Sequence, residues 1–337
     1  MLQENKYLEQ LRKIRHSIET TGIKEKGFNL EEELKNLSPN NYQFKEHFSE
    51  DIFGAVLPER FSWSLEELPV LPFQNSIFSC VSCTCTFINS FNSKRNGNDA
   101  FLSWRYPYSK VKHYAGGTSV QDNLNILKKE GQCEDNYLPQ RLFYFGEKEM
   151  QNPNYITEEA EKNAKNYKIK AYYFMAAWNE VELKTAIMKA PIGIGLYIGD
   201  NWYYSKNNNP GSPIKWDGKK KYGHLISFVG WNQNGWIIAD WDERGLFLLD
   251  YSYPLSLSFL IYDLSDKLKA TYMKSYKLEG TNRLLVILPN GKYQFVDSPT
   301  QWQALNEKKM ILGETQKITQ SELNKLEKDN NPIVIVK

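Results

Sequence analysis

Apolar positions recur at helical spacing in several stretches of the 337-residue chain. Thr84, Phe87, Ile88 and Phe91 stand at i, i+3, i+4 and i+7, which predicts one face of a buried helix. Ser79 can act as its N-cap, so Cys80 falls in the first turn. Leu8, Leu11, Ile14 and Ile18 mark an earlier amphipathic helix with Lys, Arg and Glu on its other side. Gly22 and Gly27 break that pattern. A second helical piece runs through Leu30 to Leu37, and Ser38-Pro39-Asn40-Asn41 ends it. Val120, Leu124 and Leu127 form a further stripe, with Ser119 and Asp122 as a capping box and Gly131 as the stop. Asn179 to Lys189 is a capped helix with Asn179 and Glu182 as its box.

The second half of the chain turns to strand patterns. Ala171 to Ala176 reads as a strand. Pro191 to Ile198 alternates, with Ile192, Ile194, Leu196 and Ile198 on one packed face. His224 opens an apolar strand to Trp231, Asn234-Gly235 is a hairpin signal, and Trp236 to Trp241 returns. Phe247 to Leu260 supplies the remaining strands. Residues 140–170 are polar and read as a surface excursion. The style changes again from Tyr276. Leu284 to Leu288 and Tyr293 to Val296 form a hairpin around Pro289-Asn290-Gly291. Trp302 to Leu305 and Thr319 to Leu326 read as helices, the latter with a Thr319/Glu322 box, and Ile333 to Val336 as a last strand. The pattern predicts an α+β chain in three parts: a helical arm over 1–57, a main domain over 58–270 and a small α+β module over 276–337.

Composition narrows the partners. Forty-two Lys and Arg against 40 Asp and Glu leave a formal net charge of +2, which points to neither nucleic acid nor an anionic membrane. No run of 18 apolar residues suggests a membrane span, and the opening Met1-Leu2-Gln3-Glu4-Asn5-Lys6 lacks the apolar core of a signal peptide. Twenty-one Tyr and nine Trp suit large packed faces and a groove. Three of the four cysteines crowd onto one predicted helix, so they cannot form a secretory disulfide framework. A cytoplasmic, reducing location is expected, with virion association as an option. Cys80-x-x-Cys83 has the spacing of half a zinc site, but no second pair follows at ligand spacing, so neither metal nor cofactor is expected.

The chemistry gathers at Cys80. A thiol in the first turn of a helix faces unpaired N–H groups and the positive end of the dipole, an environment that favours a thiolate. Gln74, six positions earlier, can point an amide N–H at an oxyanion beside the backbone N–H of Cys80. His224, at the head of one strand, and Asp240, at the end of its hairpin partner, can meet side by side. One imidazole nitrogen then faces the carboxylate and the other faces Cys80. The register leaves Asp242, or even Ala239, as alternatives for the third position. Cys83 and Cys85 lie deeper in the helix and lack the Gln spacing.

The Gln74–Cys80 segment and the helix behind it resemble the active-site helix of papain-like cysteine peptidases. Leu57-Pro58-Glu59-Arg60-Phe61-Ser62-Trp63 resembles the start of the mature peptidase. Gly116-Gly117, the following helix, and Gly131-Gln132-Cys133 through Pro139 are similar to the family's segment in order and length. Tyr222-Gly223-His224 through Trp231 and the return to Asp240-Trp241 resemble its Gly-His block. The likeness covers roughly residues 57 to 265. It implies a two-lobed fold, helical on one side and antiparallel β-barrel-like on the other, with a small α+β C-terminal appendage. It also implies Cys80 as nucleophile, His224 as base, Asp240 as orienter, Gln74 as oxyanion partner and Gly116 and Gly117 against the substrate backbone. Two departures stand out. Val81 replaces the usual Trp after the nucleophile, and Asp replaces Asn in the third position.

The expected activity is cysteine-type endopeptidase hydrolysis of polypeptides. One rival is a silent scaffold component of a larger assembly such as a virion, docked through residues 1–57 or 276–337. Another is a compact thiol amidase, which the wide Cys80 to His224 separation disfavours. For residues 1–57 the roles of propeptide, docking arm and outer layer all stay open, and the family's usual inhibitory-propeptide pattern is not seen there.

Overall fold

The computed structural model describes residues 30–36, 44, 48, 57–74, 77–114, 117–140, 146–202, 211–241, 246–262, 274–287, 293–296, 316–325 and 328. They fall into two compact units. The larger lies within Met1–Phe44 and Phe61–Asp263, and the smaller within Lys45–Arg60 and Leu264–Lys337.

Helices fill the first half of the larger unit. After α1 (Leu30–Asn36) and the short strand β1 (Phe61–Ser62) comes the central helix α2 (Cys80–Arg95). The apolar stripe predicted one buried face, but every residue from Cys80 to Asn92 is buried. A helix this rich in Ser, Thr and Asn can be enclosed only if its polar groups find partners. Ser82 Oγ donates to Asn123 Oδ1 at 2.6 Å, Thr84 Oγ1 to Cys80 O at 2.8 Å, and Asn92 Nδ2 to Ile261 O at 2.8 Å. Asn89 Nδ2 donates to Gln132 Oε1 and Tyr167 O. Hydrogen bonding, more than the stripe, makes α2 a core helix.

Around it lie α3 (Arg105–Lys110), the paired strands β2 (His113–Tyr114) and β3 (Gly117–Thr118), and α4 (Val120–Lys129). Ser119 caps α4 by accepting from the N–H of Asp122. Gly131 follows at φ +91°, with Ala164 O only 1.9 Å from where a Cβ would stand, so only glycine fits. The α5 helix (Glu147–Met150) and α6 (Glu158–Ala164) occupy the stretch expected to be a surface excursion. Its helices reach the interior instead: Ala160 and Ala164 pack with Tyr106, Cys133 and Leu138. Two alanines among charged residues give little local signal of a buried face.

The second half of the unit is β4 (Ala171–Met175), α7 (Glu180–Ile187), β5 (Ile192–Ile198), β6 (Tyr222–Asn232), β7 (Gly235–Ala239), β8 (Leu246–Leu249) and β9 (Leu255–Tyr262). These strands pair in the order β4-β9-β5-β6-β7-β8, all antiparallel, and β1 adds to β6. The β5 strand is buried on both faces rather than one, apart from Tyr197. A bulge between Phe228 and Gly230 shifts the β6–β7 register.

The smaller unit holds β10 (Lys274–Leu278), β11 (Leu284–Ile287), β12 (Tyr293–Phe295), β13 (Gln316–Ile318) and α8 (Gln320–Leu323). Its sheet runs β12-β11-β10-β13, and Leu278, Leu285, Ile318 and Leu323 form its core. The expected hairpin is present, with Leu285 opposite Phe295, and the Thr319/Glu322 box caps α8. The helices expected over Leu8–Ile18 and Trp302–Leu305 and the strand over Ile333–Val336 lie outside the described residues.

Candidate active site

Cys80 is the first residue of α2 and is 4% exposed. Ser79 holds the N-cap position, but its hydroxyl makes no capping bond and pairs instead with Cys83 Sγ at 3.5 Å. The first helical bond is Cys83 N–H to Ser79 O at 2.8 Å.

His224 lies near the start of β6, opposite Leu196 of β5. The β6–β7 hairpin pairs Ser227 with Ala239, so the next residue, Asp240, follows opposite Ile226, two positions along β6 from His224. His224 Nε2 meets Asp240 Oδ1 at 2.8 Å, and Cys80 lies near enough to the same imidazole to favour its charged form. The three side chains come from a helix start and the two strands of a hairpin. Asp242 lies outside the described residues, and it is Asp240 that meets the ring.

Electrostatics follow from this contact. Burial disfavours a charged imidazole, but the Asp240 carboxylate and the hydrogen bonds with Asp240 and Cys80 outweigh it. The His224 pKa is pushed up to about 10. Burial pushes the thiols of Cys83 and Cys85 well above their usual range, which keeps both protonated.

Two tryptophans hold the carboxylate. The Trp241 N–H donates to Asp240 Oδ1 at 2.8 Å, and its indole N–H donates to Leu225 O at 2.8 Å. Trp202, in the turn after β5 and fully buried, donates its indole N–H to Asp240 Oδ2 at 3.2 Å and sets its ring edgewise to His224. Sequence reasoning missed Trp202. The only signal was a large aromatic within the polar Gly199-Asp200-Asn201 turn. It also missed Glu147, whose carboxylate accepts from the Phe78 N–H at 3.2 Å and from the Tyr108 hydroxyl, tying α5 to the approach to Cys80.

Gln74 donates its backbone N–H to Trp241 O at 3.2 Å, joining the lead-in of α2 to the end of the hairpin. Its side-chain Nε2 donates to Ile77 O at 2.7 Å and so closes the turn before Cys80. Gly117 is buried at φ +140°, a conformation suited to glycine, and pairs across to Tyr114. Gly116 lies outside the described residues.

One further element reaches this region. Leu30 of α1 is buried with its Cδ1 against Gly195, beside Leu225 and Leu257. Leu225 directly follows His224. Three residues along α1, Glu33 accepts from Ser119 Oγ at 3.3 Å and Gln121 N–H at 3.0 Å, just past Gly117. The α1 helix therefore touches both the sheet beside His224 and the helical half beside Gly117.

No protein-family model matches the chain, and no curated protein matches it in sequence. Solved structures do. Xylellain, a cysteine protease from Xylella fastidiosa, aligns at TM-score 0.52 and 21% identity over 63% of this chain and 88% of its own. Procathepsin B S9 from Trypanosoma congolense aligns at TM-score 0.52 and 15% identity over 63% of this chain and 80% of its own. The proform of Amb a 11, a ragweed pollen cysteine protease, aligns at TM-score 0.50 and 16% identity over 62% of this chain and 66% of its own. The larger unit thus has the two-lobed α+β fold of papain-like cysteine proteases.

Proposed function

We propose that the chain is a cysteine-type endopeptidase acting on polypeptides through Cys80, His224 and Asp240, with Gln74 as oxyanion partner. The observation that supports this most is the His224 imidazole held by Asp240 at 2.8 Å with the helix-start thiol of Cys80 beside it. In this reading the substrate strand lies against Gly116-Gly117. Cys80 attacks the carbonyl carbon as the thiolate of an ion pair, its proton already held by the His224 imidazolium. The new oxyanion is met by the Cys80 N–H and by the Gln74 amide, turned from Ile77 O. His224 gives its proton to the leaving nitrogen, the C–N bond breaks, and a thioester remains. Water, deprotonated by His224, then hydrolyses it. A high imidazole pKa suits the acid step, because the ring still carries a proton at neutral pH.

The same reading makes residues 1–57 a propeptide-like arm. The placement of Leu30 and Glu33 supports it, and two of the aligned structures are named as precursor forms. A second reading also draws on α1: a helix of the chain's own packed against Gly195 and bonded to Ser119 and Gln121 suits a silent scaffold component that docks through its terminal segments.

A thiol-reactive peptide probe separates the two. Expected is labelling that Cys80→Ser abolishes and that Leu30→Asp, which disfavours burial of α1, accelerates. Absence of labelling in both the natural chain and Leu30→Asp overturns the peptidase reading. Loss of the N-terminal arm on incubation, read as intact mass and absent in Cys80→Ser, would show that the arm is a substrate.

A further inference from the structure

The peptidase reading uses one cysteine of α2 and leaves Cys83 idle in the same helical turn. We infer that Cys80 and Cys83 form a reversible redox pair, in which a disulfide between them switches the nucleophile off and shields it from irreversible oxidation. This rests on the proposed role of Cys80.

Four observations converge. Helix geometry puts the Cα atoms of residues i and i+3 about 5 Å apart, inside the range of roughly 4.4–6.8 Å that a disulfide spans. The Cys83 sulfur points back along the helix, because its partner is the hydroxyl of Ser79, the residue just before Cys80. Both thiols are free, and Cys83 is wholly buried, so reagents in solution do not reach it directly. Finally, the turn that must tighten carries no side-chain cap at its start. A local shift towards the 3₁₀ form brings side chains at i and i+3 into line. Cys85 does not compete: it lies about 140° around the helix from Cys80, against about 60° for Cys83. Burial holds the Cys83 thiol protonated, which keeps it unreactive until an electrophilic sulfur forms beside it.

The oxidant is a peroxide. The Cys80 sulfur attacks one peroxide oxygen, the O–O bond breaks, and hydroxide or alkoxide leaves, giving a sulfenic acid. The Cys83 sulfur attacks that sulfur. An S–S bond forms, the S–O bond breaks, and the Cys83 proton leaves with the hydroxyl as water. A dithiol reductant reverses the step by thiol–disulfide exchange, becoming a disulfide itself. Without Cys83 a second peroxide would oxidise the sulfenic acid, its O–O bond breaking and water leaving, to the sulfinic acid, which thiols do not reduce.

The test exposes the full-length protein to an excess of hydrogen peroxide and reads the peptide that carries Cys80, Cys83 and Cys85 by mass spectrometry under non-reducing conditions. The expected product has lost two hydrogens, fragments as a Cys80–Cys83 bridge, and returns to its original mass with dithiothreitol. Cys83→Ser and Cys83→Ala should instead gain two oxygens at Cys80, while Cys85→Ser behaves as the natural chain. Recovery of probe labelling after reduction should be about tenfold greater with Cys83 present than without it. Equal accumulation of sulfinic acid with and without Cys83, or a bridge to Cys85 in its place, overturns the inference. The mass readout needs no peptidase activity. A bridge in a protein that never reacts with the peptide probe would leave the pair standing and remove the hydrolase. Hydrolysis with no bridge would do the reverse.

Discussion

Asp240 is the residue on which the charge state of the site turns. It gives the imidazole a full negative partner where an amide would offer only a dipole. Asp240→Asn keeps a hydrogen-bond acceptor for His224 and removes the charge that holds the ring's pKa at about 10. The alkaline limit of activity, or of Cys80 labelling, should therefore fall by about 1–3 pH units, measured as the upper limb of the pH–rate profile. The same shift has a stability sign. A histidine whose folded pKa exceeds its unfolded value stabilises the fold fully below the unfolded pKa, near 6.5, and loses that contribution as pH rises through about 10. Denaturation midpoints taken across that window should fall less in Asp240→Asn than in the natural chain. Trp202 belongs to the same cluster. Trp202→Phe leaves Asp240 Oδ2 without its indole donor, and a buried carboxylate short of a donor costs about 1–3 kcal/mol. The turnover rate should drop more than KM rises, because the ring is held less well while the groove is untouched. The place of Cys80 at a helix start and the meeting of His224 with Asp240 were legible beforehand because each residue sits beside a local signal: a helix start, a strand head, a hairpin return. Trp202 and Glu147 were not, because each acts through a partner dozens of residues away.

Among the elements, α1 shows most clearly how far local pattern carries. Its apolar and acidic residues forecast a helix close to the one observed, Leu30–Asn36. Nothing local foretold that Leu30 would sit against Gly195 or that Glu33 would cap the start of α4. Glu33 also sets a pH dependence. Burial, with the nearby Asp122, raises its pKa more than the bonds from Gln121, Ser119 and Val120 lower it. A carboxyl with a raised folded pKa favours the docked helix when protonated, so docking should strengthen as pH falls and weaken as it rises through the folded pKa. Cys80 labelling corrected for the reagent's own pH dependence should show this trend, and Glu33→Gln, which keeps the acceptor and drops the charge, should flatten it. At the α4–α6 junction the prediction concerns stability alone. Gly131→Ala meets Ala164 O head-on at positive φ and should destabilise the unit by about 2 kcal/mol or more, read from urea midpoints.

On the scale of the whole molecule, the two units are not successive stretches of chain. The larger one takes Met1–Phe44 and Phe61–Asp263, and the smaller one takes the intervening Lys45–Arg60 together with Leu264–Lys337, so the chain passes from the larger unit to the smaller and back before ending in the smaller. Hydrophobic periodicity marks helices and strands but carries no sign of which distant segments share a core, and no local pattern announces the divisions at Phe44 and Phe61. Every contact described for Cys80, His224, Asp240, Trp202 and Glu147 lies within the larger unit. Phe48 and Leu57, both buried, belong to the smaller one. A chain ending at Asp263 therefore separates two consequences. It removes most of the smaller unit and so uncovers apolar residues of Lys45–Arg60, which should appear as new protease cleavage between those positions and as binding of a hydrophobic dye. It should leave Cys80 labelling by the peptide probe in place, because nothing that positions the thiol is lost. Loss of labelling in a chain whose sheet and helix content persist by circular dichroism would overturn that expectation.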